Sequence, residues 1–183
     1  MEFGVVLLII VVGLGLVLVM IYNRLVSLRQ TCRQAWGDID VQLKQRHDLV
    51  PNLVKTVKGY ATHEQETLQN VIAARQQAVD ASSMKELAQA ENMLSGALRQ
   101  LFALSEAYPD LKANQNFLSL QNEIADLENK IAAARRFFNN AVNEYNTATE
   151  QFPAVIIANS MGFSQREYFE VAEAERGAPK VQF

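Results

Sequence analysis

The chain has 183 residues, with 17 Lys and Arg against 20 Asp and Glu, a formal net charge of -3 and a pI near 5.5. That balance argues against a broad nucleic-acid surface, which needs a basic face to displace counterions from phosphates. Only 8 Gly and 4 Pro punctuate the chain, and Ala, Leu, Gln, Asn and Glu dominate residues 24–150, a composition that favours helices over sheet.

The first predicted element is an apolar helix. From Phe3 to Ile21 there is no charged or polar side chain, and roughly 19 residues at about 1.5 Å each span about 29 Å, the depth of a bilayer's hydrocarbon core. Residues 1–23 therefore read as a retained single-pass anchor rather than a cleaved signal peptide. Only Met1 and Glu2 precede the run, it exceeds a typical signal-peptide core, and no small-residue cleavage site follows it. Gly13 and Gly15, with Gly4, are not four apart, so the anchor carries no small-xxx-small dimerisation face. Arg24, Arg29 and Arg33 follow the span, whereas Glu2 is the only side-chain charge before it. The positive-inside rule then places the N-terminus outside and the rest of the chain in the cytoplasm, on the cell inner membrane. Beside a membrane this basic cluster reads as a topology and anionic-lipid signal. The single cysteine, Cys32, agrees with a reducing compartment.

No turn cluster separates the anchor from the residues after it. Trp36, Ile39, Leu43, Val50, Leu53, Val57 and Tyr60, and later Val71 and Ala74, recur at spacings that put one buried stripe on a long helix. Pro51 removes an N–H and crowds the preceding turn, so a kink or break is expected near Asp48-Leu49-Val50. The stripe keeps its phase across Pro51 with no Gly close by, which favours a kinked long helix over a hairpin. Asp80-Ala81-Ser82-Ser83 interrupts the pattern, and Ser83 with Glu86 forms a capping box for the next helix. That helix carries Leu87, Ala90, Leu94, Leu98 and Leu101 and is expected to end at Tyr108-Pro109-Asp110. From Phe117 through Leu120, Ile124, Leu127, Ile131, Ala134, Phe138 and Ala141 to Tyr145 the spacing alternates between three and four, the repeat of coiled-coil-like packing. After Pro153 a short apolar helix over 154–159 meets Gly162 as its C-cap. Ser164 and Glu167 form a second capping box, opening a last turn through Tyr168 and Phe169. The fold class is all-α: an N-terminal transmembrane helix, an antiparallel up-and-down bundle of three to four long helices over 24–172, and a loose tail at 173–183.

Three strings are distinctive: YNRLVSLRQTCRQAWGDIDVQLKQRHDLVPNLVKTVKGYATHE at 22–64, YPDLKANQNFLSLQNEI at 108–124, and ARRFFNNAVNEYN at 134–146. With Phe152-Pro153 and the later Gly162-Phe163 and Tyr168-Phe169-Glu170, they cover most of the chain after the anchor, in order. In these residues the chain resembles the LemA family. The resemblance implies a bacterial membrane protein with a cytoplasm-facing antiparallel four-helix bundle, and it implies no known reaction.

Two charged residues, Arg46 and Glu64, fall in phase with the buried stripe of the first helix. A charge taken out of water needs a partner, so each should pair across the bundle or sit at its rim. With His47, Asp48 and His63 they form the candidate polar site, for partner contact or for fixing register between helices. Asp38 and Asp40, beside Trp36, read as a solvated face. His63-Glu64-Gln65-Glu66 lacks the second His of HExxH, and no Glu-x-x-His pair exists for a di-iron site, so no metal and no cofactor are expected. Nor is there a Walker A loop, a GxSxG elbow or a Cys/His nucleophile spacing. Asn139, Asn140, Asn143 and Asn146 crowd one helix end, as a solvated face, an inter-helix contact or a partner surface. Phe163, Tyr168, Phe169 and Phe183 are candidates for capping the bundle or docking a neighbouring subunit. The expected function is a non-enzymatic, membrane-anchored scaffold or adaptor that forms homo-oligomers or binds a membrane protein, with no nucleic-acid partner. The alternative is an accessory or regulatory subunit of a membrane enzyme such as a metalloprotease.

Overall fold

A computed structural model describes residues 2–169, and every regular element among them is helical. The tail at 173–183, with Phe183, lies outside the described residues. The chain packs as two compact units, one built on residues up to Asp38 together with Ala134–Tyr168, the other on Ile39–Ala133. Helices α1 (Glu2–Lys58) and α5 (Gln115–Glu150) contribute to both.

In the first unit, α1 begins with the apolar run, whose large side chains are exposed on every side, from 41% at Val17 to 83% at Phe3. The helix is long and apolar enough to cross a membrane, and all-round apolar exposure matches a lipid environment. A Cβ added at Gly13 or Gly15 would meet nothing. Beyond the run, Leu25, Cys32 and Ala35 are buried on α1, and Phe138, Ala141, Val142 and Tyr145 on α5. The rings of Trp36 and Phe138 meet at 5.6 Å. Helix α6 (Ala154–Met161) follows Pro153 and ends at Gly162, whose φ of 71° lies in the left-handed region that favours glycine, with the Phe163 N–H donating to the Ala158 carbonyl at 3.0 Å.

The helix expected to open at Ser164 does not form, because side chains of α5 claim the backbone it would use. The Tyr145 hydroxyl donates to the Ser164 carbonyl at 3.0 Å. The Asn146 amide both donates to the Arg166 carbonyl and accepts from the Arg166 N–H, each at 2.9 Å. Phe163 is buried, edge-on to Tyr22 at 5.7 Å and beneath the Arg29 guanidinium at 4.9 Å. Of the C-terminal aromatics read as capping the bundle or docking a neighbour, Phe163 and Phe169 are buried and Tyr168 is open.

In the second unit, α1 continues from Ile39 to Lys58 and is followed by α2 (Gln65–Asp80), α3 (Met84–Leu104), a 3-10 turn at Ser105–Ala107, α4 (Pro109–Lys112) and the start of α5. The single helix expected from Trp36 to Ala74 is instead two. Gly59 and Tyr60 close turns onto Thr56 and Val57, Ala61 is buried, and the chain reverses into α2. The apolar spacing hid this reversal because both helices turn their stripes to the same core. Val50, Leu53, Val57, Leu68, Val71, Leu94, Leu98, Leu101, Leu111, Phe117 and Ile124 form that core, each full burial of a large side chain contributing about 1.5–3 kcal/mol. The capping box at Ser83 and Glu86 is present as expected. Helix α3 stops at Leu104, earlier than expected, and Leu111 of α4 is fully buried at that end of the core.

Pro51 does not break α1. Its missing N–H orphans the His47 carbonyl four residues back, and Arg75 of α2 supplies the substitute, donating from Nε to that carbonyl at 2.7 Å. A tertiary contact thereby completes the helix.

Candidate functional site

The buried polar cluster of the second unit is built on one turn of α1. Arg46 follows the stripe of Ile39, Leu43 and Val50 inward and is fully enclosed. Its guanidinium pairs with Glu91 of α3 and Glu128 of α5, and it donates to the Ser95 Oγ of α3 at 2.8 Å. Ser95 in turn bonds the Glu128 carboxylate at 3.0 and 3.2 Å. His47, next on α1, sits with Nε2 2.7 Å from Glu91 Oε1. With Arg75 on the His47 carbonyl, one polar layer ties together α1, α2, α3 and α5. With the short connection from α1 to α2, and that from α3 to α5, the contacts of His47 with Arg75 and of Ser95 with Glu128 fit antiparallel neighbours.

Electrostatics divide the layer into a charged and a neutral part. Burial pulls the Arg46 guanidinium below its ordinary range, while Glu128 opposes the shift. Glu91 is as enclosed as Arg46, whereas the Glu128 side chain keeps 36% exposure. His47 is pushed down to about 4, first by burial, then by the cations of Arg46 and Arg75. At neutral pH His47 is therefore uncharged and donates its Nε2 proton to Glu91. The Ser95 hydroxyl is engaged by Arg46 and Glu128, and the His47 Nε2 by Glu91, so the two do not form a nucleophile–base pair.

The other site residues expected from sequence lie elsewhere. Asp48 is exposed, lining an open groove with Gln45, Leu49, Glu123, Asp126, Leu127 and Lys130. His63 and Glu64 belong to the α1–α2 turn, beyond a helix end that is about 18 Å from Arg46 at 1.5 Å per residue. His63 is exposed, and Glu64 accepts from the Tyr108 hydroxyl at 3.0 Å, which raises the Tyr108 pKa. Among the described residues no three His, Cys, Asp or Glu side chains are grouped to hold a metal ion. Asp38 and Asp40 are exposed. Among the clustered asparagines, Asn146 clamps Arg166, and Asn143 accepts from Tyr168 at 3.3 Å. Glu91, Ser95, Glu128 and Arg75 were not singled out from sequence. Glu91 had a signal, since it keeps the helical phase of Leu87, Leu94 and Leu98 as Arg46 does on α1.

A family model described as the LemA family matches residues 35–183. The chain belongs to the LemA family. It is 25% identical over 178 residues to the magnetosome protein MamQ of Magnetospirillum gryphiswaldense, a match covering 83% of this chain and 65% of that protein. A second relative, magnetosome protein MamQ 1 of Paramagnetospirillum magneticum, is 24% identical, covering 84% of this chain and 66% of the relative. Protein LemA of Metamycoplasma hominis is 28% identical over 158 residues, covering 84% and 71%. The match to the MamQ proteins thus spans just under two thirds of their length. None of these names states an enzymatic activity. With the apolar start of α1, they support a membrane-associated member of the LemA family.

Proposed function

We propose that this LemA-family protein is a non-enzymatic, membrane-anchored scaffold or adaptor that acts by self-association or by holding a membrane-protein partner. The observation that carries this reading is that the buried polar groups are turned on one another: Arg46 pairs through its two terminal nitrogens with Glu91 and Glu128, its Nε left without a partner, while Ser95 bonds Glu128 and His47 bonds Glu91, so that Ser95 and His47 are engaged elsewhere than with each other. Such a layer fixes helix register, the best-attested use of buried ionic groups. The apolar run of α1 supplies the tether, and the basic residues Arg24, Arg29 and Arg33 after it support an N-out topology with the body in the cytoplasm. The alternative, an accessory subunit contacting a membrane enzyme through Arg46 and the His63–Glu66 cluster, loses Arg46, which is fully enclosed, and keeps the exposed His63, Gln65 and Glu66.

The test is the mass of the detergent-solubilised full-length protein with chemical cross-linking in native membranes. The expected result is a homo-oligomer or a discrete complex with another membrane protein. A strict monomer that co-purifies with nothing and cross-links to nothing would overturn the proposal.

A further inference from the structure

In the first unit, residues 152–163 carry no charged side chain, yet they lie outside the anchor. Phe152, Ile156 and Met161 are 82%, 61% and 59% exposed, while Ile157 and Ala158 of α6 face inward and are buried. The short helix thus turns Ile156 and Met161 outward, beside the exposed Asn159 and Ser160, while its other face packs on the protein.

Its level along the anchor helix follows from register. Trp36 of α1 meets Phe138 of α5. From Phe138 to the end of α5 at Glu150, and from Trp36 back to Arg24, the rise is about 18 Å in each case at 1.5 Å per residue. The end of α5, and α6 after it, therefore reach the level where the apolar run gives way to Arg24. The contact of Phe163 with Tyr22, one residue past that run, sets the same level independently. Tyr22 is in the position of an interfacial aromatic, and exposed Arg24 stands at headgroup height.

We infer that Phe152 and α6 form a second membrane contact, an apolar knuckle seated in the interface of the bilayer that the anchor crosses. Short amphipathic elements of this kind bury an apolar face about 5–10 Å into the headgroup–acyl boundary. The occupant is lipid rather than a second copy of the chain, because the patch is continuous in level with the lipid-exposed anchor. The inference rests on the membrane-anchored reading above. Its consequence is a body held at two points, which restricts its tilt about the anchor.

The test uses the full-length protein in nanodiscs of phospholipid with brominated acyl chains, carrying an environment-sensitive dye on one introduced cysteine at a time; native Cys32 is fully enclosed. Labels replace Phe152, Ile156 or Met161, with Leu14 in the anchor and exposed Val79 on α2 as references. The expected result is bromine quenching at Phe152 and Ile156 of at least a third of that at Leu14, with none at Val79. In the Phe152→Asp, Ile156→Asp variant, quenching of a label at Met161 should fall to the Val79 level. Quenching at Leu14 but not at the knuckle overturns this inference alone. A knuckle label shielded from aqueous quencher yet untouched by bromine means that another protein surface covers it, and also overturns it. No quenching at Leu14 overturns the membrane-anchored reading and this inference with it.

Discussion

Pro51 and Arg75 give the sharpest test of how the second unit holds itself together. The Arg75 Nε–His47 carbonyl bond is charge-assisted and replaces a helix bond that proline cannot make. Hydrogen bonds to charged groups contribute about 1.5–3 kcal/mol, and a carbonyl left unpaired in a partly buried site costs a similar amount. Arg75 is only partly buried, which favours the lower end. Arg75→Met keeps the aliphatic stem and removes the donor, so it should destabilise by about 1.5–2 kcal/mol. For a domain of this size that is a fall of about 3–8 °C in Tm. In a Pro51→Ala background the restored amide can bond the His47 carbonyl directly, and the same Arg75→Met change should then cost less than about 0.5 kcal/mol. Pro51→Ala alone should stabilise, by up to the roughly 3 kcal/mol by which proline is disfavoured in a helix interior. The assay is thermal and urea unfolding of the detergent-solubilised protein by circular dichroism for all four members of the cycle. Equal losses from Arg75→Met in both backgrounds would refute the claim that Arg75 substitutes for the missing helix bond.

Other outcomes rest on the same structure. Arg46→Met strands the enclosed Glu91 carboxylate and should cost about 3–5 kcal/mol, while Arg46→Met with Glu91→Met should recover most of it; additive losses in urea unfolding would contradict a coupled pair. His47, at about 4 in the folded chain against about 6.5 unfolded, binds fewer protons when folded. Stability should therefore be full above pH 6.5 and fall as pH drops toward 4, by at most about 3 kcal/mol from this group. His47→Gln should flatten that window in pH-dependent unfolding. Asn146→Ala removes both bonds to the Arg166 backbone and should raise hydrogen exchange over 163–168 while leaving α2 and α3 protected. Gly162→Ala forces a side chain to adopt the left-handed cap, costing about 1–2 kcal/mol in thermal unfolding.

Local signals were legible where local physics decides. The apolar run, the Ser83–Glu86 capping box, the repeat from Phe117 to Tyr145 and the Gly162 cap each depend on near neighbours, and each is present. The reversal at Gly59–Glu64 was missed because stripe phase carries no information about direction: Val57 and Val71 face one core from opposite-running helices. The Ser164–Glu167 capping signal failed because Tyr145 and Asn146, distant in sequence, bind that backbone first. Arg46 was visible as a charge in an apolar phase, but its partners lie 45 and 82 residues away, and pairing at that range is set by tertiary packing. His47 joined the site and Asp48 did not, since a turn of about 100° between successive residues sends one inward and the next to solvent.

The enclosed Cys32 gives the native protein a built-in clock. It is the chain's single thiol, fully covered in the first unit, and burial pushes its pKa up so that little thiolate is present at neutral pH. A thiol reagent can consume it only during openings of the surrounding helices, and at high reagent concentration the reaction rate becomes the opening rate itself. With no cysteine introduced, one could follow how lipid composition, partner binding or substitution of Asn146 changes the breathing of the segment around Cys32.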